Sequence, residues 1–258
     1  MLKFCANLSL LFTEIELPKR FQAAKNAGFN AVEIQFPYAL PATQLTEILS
    51  DSQLKLVLFN VDADDLLQGG EGLACVPKKQ DQFKYALEQA VDYAEILKPE
   101  LINVLPGCCL DETKTGYYLD TFRRNLEYAL AAFTPLGIKT VFEAINTFDM
   151  PHFIISSGAQ MLSIIADINQ QNLRMQYDIY HADKMGEKWA EFMQAHIAKI
   201  GHIQFADNQG RGEPGTGTID FQTLFNWLEN SAYHGWIGAE YKPVNGTLNS
   251  LNWYPNKR

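Results

Sequence analysis

Residues 140–178 hold the stretch that decides the fold. An apolar run, Thr140-Val-Phe-Glu-Ala-Ile145, is followed by an amphipathic one, Gly158-Ala-Gln-Met-Leu-Ser-Ile-Ile-Ala-Asp-Ile168, and then by Arg174-Met-Gln-Tyr-Asp178. The short runs are rich in the β-branched and aromatic residues of strands, and the longer one spaces its apolar residues as a helix does. Working outward, the same alternation fills the chain. Further strands are expected at Leu2–Ala6, Ala31–Gln35, Leu54–Asn60, Leu101–Leu105, His202–Phe205 and Ile237–Glu240. Further helices are expected at Leu17–Ala27, Ala42–Ser50, Asp81–Leu97, Thr121–Phe133, Glu187–Ile197 and Phe221–Asn230. Gly28 and Gly137 stand where helices should stop, and Asp220 stands where one should be capped. Eight strands in 258 residues give one unit per about 32 residues, the repeat of an α/β chain closed into a (β/α)8 barrel. The rival is a doubly wound open sheet, which commonly carries a glycine-rich loop after its first strand; Asn7-Leu-Ser-Leu-Leu has no glycine.

Composition narrows the class of partner. Hydrophobic residues make up 47% and charged residues 20%, and 21 Lys+Arg against 30 Asp+Glu leave a net charge of −9. That excludes disordered, collagen-like and cysteine-scaffold chains. No run approaches the roughly 18 to 20 apolar residues of a membrane span. The acidic balance speaks against nucleic acid, whose phosphates call for clustered Lys and Arg. No linker divides the chain, so residues 1–258 are expected to form one domain. The cysteines, Cys5, Cys75, Cys108 and Cys109, make no CxxC pair, and Met1-Leu-Lys-Phe-Cys-Ala-Asn7 reads as a strand rather than a secretory signal. Free thiols in a reducing cytoplasm are expected. A homodimer is a common assembly for such a chain, although no segment specifies one.

In a barrel of this kind the active site lies at the C-terminal ends of the strands. Reading off those ends gives Glu143 in Val-Phe-Glu-Ala-Ile-Asn, Asp178 in Met-Gln-Tyr-Asp, Gln204 in His-Ile-Gln-Phe-Ala-Asp and Glu240 in Gly-Ala-Glu-Tyr-Lys. They are 35, 26 and 36 residues apart, close to one strand each. Three carboxylates and an amide oxygen form a hard donor set suited to Mg²⁺ or Mn²⁺. The plainer account, in which they anchor loops or pair with Arg174 or Lys242, serves for one or two of them. For all four it would leave like charges uncompensated.

These segments also resemble the hydroxypyruvate isomerase family, within the xylose-isomerase-like TIM barrels that isomerise sugars. The resemblance runs from Phe4-Cys-Ala-Asn-Leu-Ser-Leu-Leu-Phe12 to Leu251-Asn-Trp-Tyr-Pro255. Its specific strings are Gly28-Phe-Asn-Ala-Val-Glu-Ile-Gln-Phe-Pro-Tyr38, Gly69-Gly-Glu-Gly-Leu-Ala-Cys-Val-Pro77, Tyr177-Asp-Ile-Tyr-His181 and Ala206-Asp-Asn-Gln-Gly-Arg-Gly-Glu-Pro-Gly-Thr-Gly217. It implies isomerisation of hydroxypyruvate to 2-hydroxy-3-oxopropanoate (tartronate semialdehyde). Glu143 and Glu240 match the family's paired proton donor and acceptor, and Asp178 and Gln204 match its remaining metal positions. Related sugar epimerases commonly place histidine where Gln204 stands. There is one local departure: after Glu143 the family often reads Ile-Asn-His-Phe-Asp, and here Thr147 replaces the histidine. This makes the reaction class firmer than the substrate.

Such a reaction moves a proton between adjacent carbons through an enediolate, and so needs two acid/base groups and charge stabilisation. A small anionic hydroxycarbonyl substrate needs a partner for its carboxylate, and His181, Arg211 and Lys242 are the candidates. Asn7 and Glu33 are candidates for the pocket floor. Gly210, Gly212, Gly215 and Gly217 match no phosphate-loop fingerprint, and read as a turn-rich lid ordered by Pro214. Asp62, Asp64 and Asp65 read as a solvated loop, and Phe12, Phe36, Tyr38 and Trp253 as pocket wall or packing. Three other activities stay open: a 2-oxo-tetronate isomerase or ketose 3-epimerase, a non-catalytic barrel binding a small acid or cation, and a DNA-repair endonuclease. The last would normally want a histidine-rich centre, and the chain has five histidines.

Overall fold

A computed structural model describes residues 1–255, so the last three positions of the expected 1–258 domain lie outside the described residues. Eight parallel strands close on themselves: β1 (Lys3–Asn7), β2 (Ala31–Ile34), β3 (Lys55–Asn60), β4 (Leu101–Asn103), β5 (Lys139–Glu143), β6 (Leu173–Asp178), β7 (Ile200–Phe205) and β8 (Trp236–Ala239). Closure is made by β1 against β8, with Phe4 opposite Ile237 and Ala6 opposite Ala239. The fold is therefore the (β/α)8 TIM barrel that the repeat implied.

Around the strands run α1 (Leu17–Asn26), α2 (Ala42–Ser52), α3 (Gln80–Leu97), α4 (Thr115–Phe133), α5 (Gly158–Ile168), α6 (Ile179–Lys184), α7 (Trp189–His196), α8 (Phe221–Glu229) and α9 (Thr247–Ser250). Each long helix buries one stripe against the barrel. In α4 the stripe is Phe122, Leu126, Ala129, Leu130 and Phe133, all 5% exposed or less, and Phe122 meets Phe142 of β5 edge-on at 5.7 Å. Each such Leu or Phe contributes roughly 1.5–3 kcal/mol by leaving water. Gly28 and Gly137 take the left-handed φ that ends a helical turn, at 103° and 72°, and Asp220 caps α8 by accepting from Thr223 N–H at 3.0 Å.

Helices α4 and α7 depart from the expected bounds, and α6 and α9 match no expected helix. Helix α4 starts six residues before the expected Thr121: Gly116 weakens its first turn locally, but Tyr118 is buried there. The expected Glu187–Ile197 helix is shorter, as α7, and is preceded by the unexpected α6. Gly186, at φ 72°, breaks the backbone between them, and Asp178 accepts from Tyr180 N–H at 2.9 Å to start α6 directly at the end of β6. Among the described residues no helix is long and apolar enough to cross a membrane.

Candidate active site

Strand ends place the site. Glu143 closes β5, Asp178 closes β6, Gln204 is the penultimate residue of β7, and Glu240 follows β8 directly. All four are buried. Glu143, Glu240, His181 and Arg211 line one cavity of about 160 Å³, together with Gln35, Asn60 and an apolar wall that includes Phe36, Leu66 and Met150. That is small beside the roughly 300–1,000 Å³ of sites for drug-sized ligands.

The carboxylates are held unequally. Glu143 Oε1 accepts from Asn103 Nδ2 at 2.9 Å. Glu240 Oε1 accepts from Gln35 Nε2 at 2.7 Å and Asn7 Nδ2 at 3.1 Å, while its Oε2 meets Arg211 Nη2 at 2.7 Å. The same guanidinium nitrogen stands 3.5 Å from Asp178 Oδ2, and the guanidinium lies over the Tyr180 ring at 5.3 Å. Burial, reinforced by the charges of Glu240 and Asp178, pushes the Glu143 carboxyl well above the usual range. Burial lifts Asp178 to about 7 although Arg211 opposes it, and it raises Glu240 against the same guanidinium. Burial and the nearby Arg211 hold His181 neutral.

Three buried carboxyl groups facing one guanidinium leave the cluster short of positive charge. Ligand atoms of Glu143, Asp178 and His181 lie within 4.8 Å of one another, and this donor set can hold a divalent ion. Cys5, Glu33 and His202 form a second such cluster below it. There, however, the carboxylate is already satisfied. Glu33 Oε1 accepts from Asn7 Nδ2 at 3.0 Å and Gln204 Nε2 at 2.7 Å, and its Oε2 meets His202 Nε2 at 2.6 Å and Cys5 Sγ at 3.3 Å. Against the pull of burial, His202 and the two amides hold the Glu33 carboxyl below its usual range. Gly238 makes room for it: a Cβ there would lie 2.6 Å from each Glu33 oxygen.

The structure thus brings Glu143, Glu240, Arg211 and His181 to one cavity, with Asp178 against the last two. Gln204 lies among the floor residues, its Oε1 accepting from Gln176 Nε2 at 2.6 Å. Asn7 bridges floor and site through Glu33 and Glu240. Lys242 stands apart: its side chain is exposed, and its backbone N–H supports the Arg211 carbonyl at 2.7 Å. The Arg211 loop is organised by buried Asp207, which accepts from the N–H groups of Gly215, Gly217 and Ile219 at 2.9, 2.8 and 3.1 Å. Of the other sequence candidates, Asp64 and Asp65 pair with Lys79, Phe12 and Tyr38 pack in the core, and Trp253 joins Phe4, Phe205 and Phe225 in an aromatic cluster; Phe36 does wall the cavity.

Sequence reasoning missed Gln35, Asn103, Asn146 and Asp207. Gln35 closes an expected strand, so the strand-end rule alone would have found it. Asn103 was hidden because that strand was expected to run on to Leu105.

A model of the xylose isomerase-like TIM barrel family matches residues 21–257. The chain belongs to that family. Among its curated relatives, a hydroxypyruvate isomerase of Escherichia coli (strain K12) is 40% identical over 98% of each chain. A 2-oxo-tetronate isomerase of Pectobacterium atrosepticum is 35% identical, covering 98% of this chain and 97% of its own. A crystal structure described as an AP endonuclease, family 2, from Brucella melitensis matches all of both chains at 31% identity with a TM-score of 0.94. An L-ribulose 3-epimerase, at 19% identity, 98% of this chain and 86% of its own, has a TM-score of 0.77 and speaks to the fold alone. Full-length kinship with isomerases makes this member of the xylose isomerase-like family an enzyme of the isomerase type.

Proposed function

We propose that this enzyme interconverts hydroxypyruvate and 2-hydroxy-3-oxopropanoate. The observation that carries the reading is the pair of buried glutamates, Glu143 and Glu240, on a cavity of about 160 Å³ that also presents a guanidinium. A three-carbon acid suits that space, and the 40% identical relative bears the name of this activity.

Hydroxypyruvate has a ketone between a carboxylate and a hydroxymethyl group. One glutamate takes a proton from the hydroxymethyl carbon, leaving an enediolate, and the other returns a proton to the former carbonyl carbon. Carboxyl groups raised toward neutrality suit both halves of that exchange. Arg211 and His181 serve the substrate's carboxylate and developing oxygen charge, and the exposed Lys242 attracts the anion from solvent. Asn7 and Glu33 hold Glu240 and Gln204 in place from below. Glu143, Asp178 and Glu240 would hold Mg²⁺ or Mn²⁺, which supplies positive charge to the substrate oxygens when bound, while the Gln204 oxygen is engaged by Gln176. The apolar wall limits water around the reacting carbons. The setting proposed with this activity is the cytoplasm, with a small acid as partner rather than nucleic acid.

The test is a substrate panel: hydroxypyruvate, 2-oxo-tetronate and a ketose, each after EDTA treatment and after return of Mg²⁺ or Mn²⁺. Turnover of hydroxypyruvate, lost on chelation and restored by the ion, is expected. Efficient turnover of 2-oxo-tetronate with hydroxypyruvate untouched would move the assignment to the neighbouring activity, the one whose name the 35% identical relative carries.

A further inference from the structure

His181 can meet a ligand in two ways. An Nε2 lone pair binds a divalent ion, whereas an Nε2–H can only donate a hydrogen bond. Its place beside Glu143 and Asp178 permits the first. The choice is made on the far side of the ring, by Asn146.

The Asn146 amide has one orientation. Its Oδ1 accepts from the backbone N–H groups of Phe148 at 3.1 Å and Asp149 at 2.8 Å, an Asx turn that opens the loop after β5. Turned over, the amide would set its own NH₂ against those two donors and lose both bonds. Nδ2 therefore faces the other way, where it meets Asp149 Oδ2 at 3.0 Å and His181 Nδ1 at 2.6 Å. Asp149 is itself fixed by the Tyr180 hydroxyl at 2.6 Å and by an ion pair with Lys184. Each amide hydrogen thus has a set acceptor. The backbone N–H of Asn146 also points at Nδ1, at 3.4 Å. With two N–H groups directed at it, Nδ1 keeps its lone pair, and the ring's single proton belongs on Nε2, which lies 3.5 Å from Asp178 Oδ2 at the cavity wall.

We propose that Asn146 locks His181 as the neutral Nε2–H tautomer, so that the ring shows the cavity a hydrogen-bond donor and stays outside the ligand set of a divalent ion. Asn146 is a positioning residue. What the donor meets, an oxygen of the substrate acid, rests on the functional reading above; the tautomer rests on the Asn146 geometry. The ion is then left to oxygen donors, which Mg²⁺ prefers.

The experiment uses the full chain with ¹⁵N-labelled histidine, free of metal, and reads each ring by long-range ¹H–¹⁵N correlation. His181→Gln identifies the His181 signals among the five histidines. Expected in the parent is a pyrrole-like Nε2 and a pyridine-like Nδ1. Asn146→Asp keeps the turn oxygen but presents an acceptor to Nδ1, and hydrogen is expected to appear there. Asn146→Ser, which avoids a second carboxylate beside Asp149, should give a mixture of tautomers and raise KM for hydroxypyruvate about fivefold, with kcat within threefold of the parent. Mn²⁺ alone, followed by dialysis, should bind His181→Gln within threefold of the parent. A parent ring with hydrogen on Nδ1, variants at 146 that keep a pure Nε2–H ring, or a tenfold loss of Mn²⁺ affinity in His181→Gln would each overturn the proposal. A parent that shows the Nε2–H ring but leaves hydroxypyruvate unchanged sinks the functional reading and retains this one.

Discussion

Glu33 and Glu143 are the same residue type, buried to nearly the same degree, on the inner side of the same barrel. Their surroundings send them in opposite directions. Glu33 is met by four polar partners and has its carboxyl held below the usual range. Glu143 has one amide donor and two carboxyl neighbours, and burial pushes it well above. Burial alone decides neither role; the number of donors does. A carboxylate surrounded by donors becomes a structural anion, and one left among like charges becomes an acid or base poised to change state.

The comparison breaks hardest at Glu143. Glu143→Gln is expected to lower kcat by about a thousandfold, in the range that a positioned acid/base group contributes. The amide imitates the uncharged carboxyl, so the denaturation midpoint should not fall; steady-state kinetics and urea unfolding together check this. Comparable activity in the variant would remove Glu143 from proton transfer.

At the floor the expected damage is to stability. His202→Leu leaves the Glu33 carboxylate buried without its imidazole partner, and breaking a buried pair from one side costs about 3–5 kcal/mol. Urea unfolding reads that loss, and a change under about 1 kcal/mol would show that Asn7, Gln204 and Cys5 suffice for Glu33. Arg211→Lys tests the only guanidinium that the described residues place on the cavity. A lysine keeps the charge but loses the planar group that lies over the Tyr180 ring while one of its nitrogens meets both Glu240 and Asp178, and an increase in KM of about tenfold is expected.

The smallest effect belongs to Asp149, a third kind of carboxylate. Burial works to raise it, but Lys184, Tyr180 and Asn146 hold its carboxyl well below the usual range. Because the folded-state pKa is depressed, its stabilisation is fully present above the unfolded value of about 3.9 and fades as pH falls toward the folded one. Asp149→Asn should therefore unfold at lower urea than the parent at pH 7, with the gap narrowing below about pH 4. A gap independent of pH would mean that the charge of Asp149 contributes nothing.

Much of the architecture was legible because each βα unit repeats the same signals. Val, Ile and Phe runs located the strands to within two residues, and the strand-end rule picked out Glu143 and Glu240 on the cavity and Asp178 beside it, whereas Gln204 lies in the floor. What sequence could not show is what meets across the barrel. Glu33 and Gln204 lie 171 positions apart, and they touch only because β2 and β7 face each other through the interior. Asn146 was passed over for its neighbour Thr147, since its importance depends on the direction of one amide. Helix α6 was missed because Ile179-Tyr-His-Ala-Asp-Lys184 is too short to display a period.

The Asp207 clamp has a kinetic side. Fixing the backbone of one loop residue costs roughly 1–2 kcal/mol in lost freedom. Here that cost is met while the chain folds, since three backbone N–H groups are already tied to one buried carboxylate and Arg211 is seated at φ 59°. A substrate arriving at such a loop has nothing to organise. Its capture should proceed at the pace of encounter rather than of loop ordering, and should be steered by the Arg211 guanidinium that an otherwise acidic enzyme turns toward its cavity.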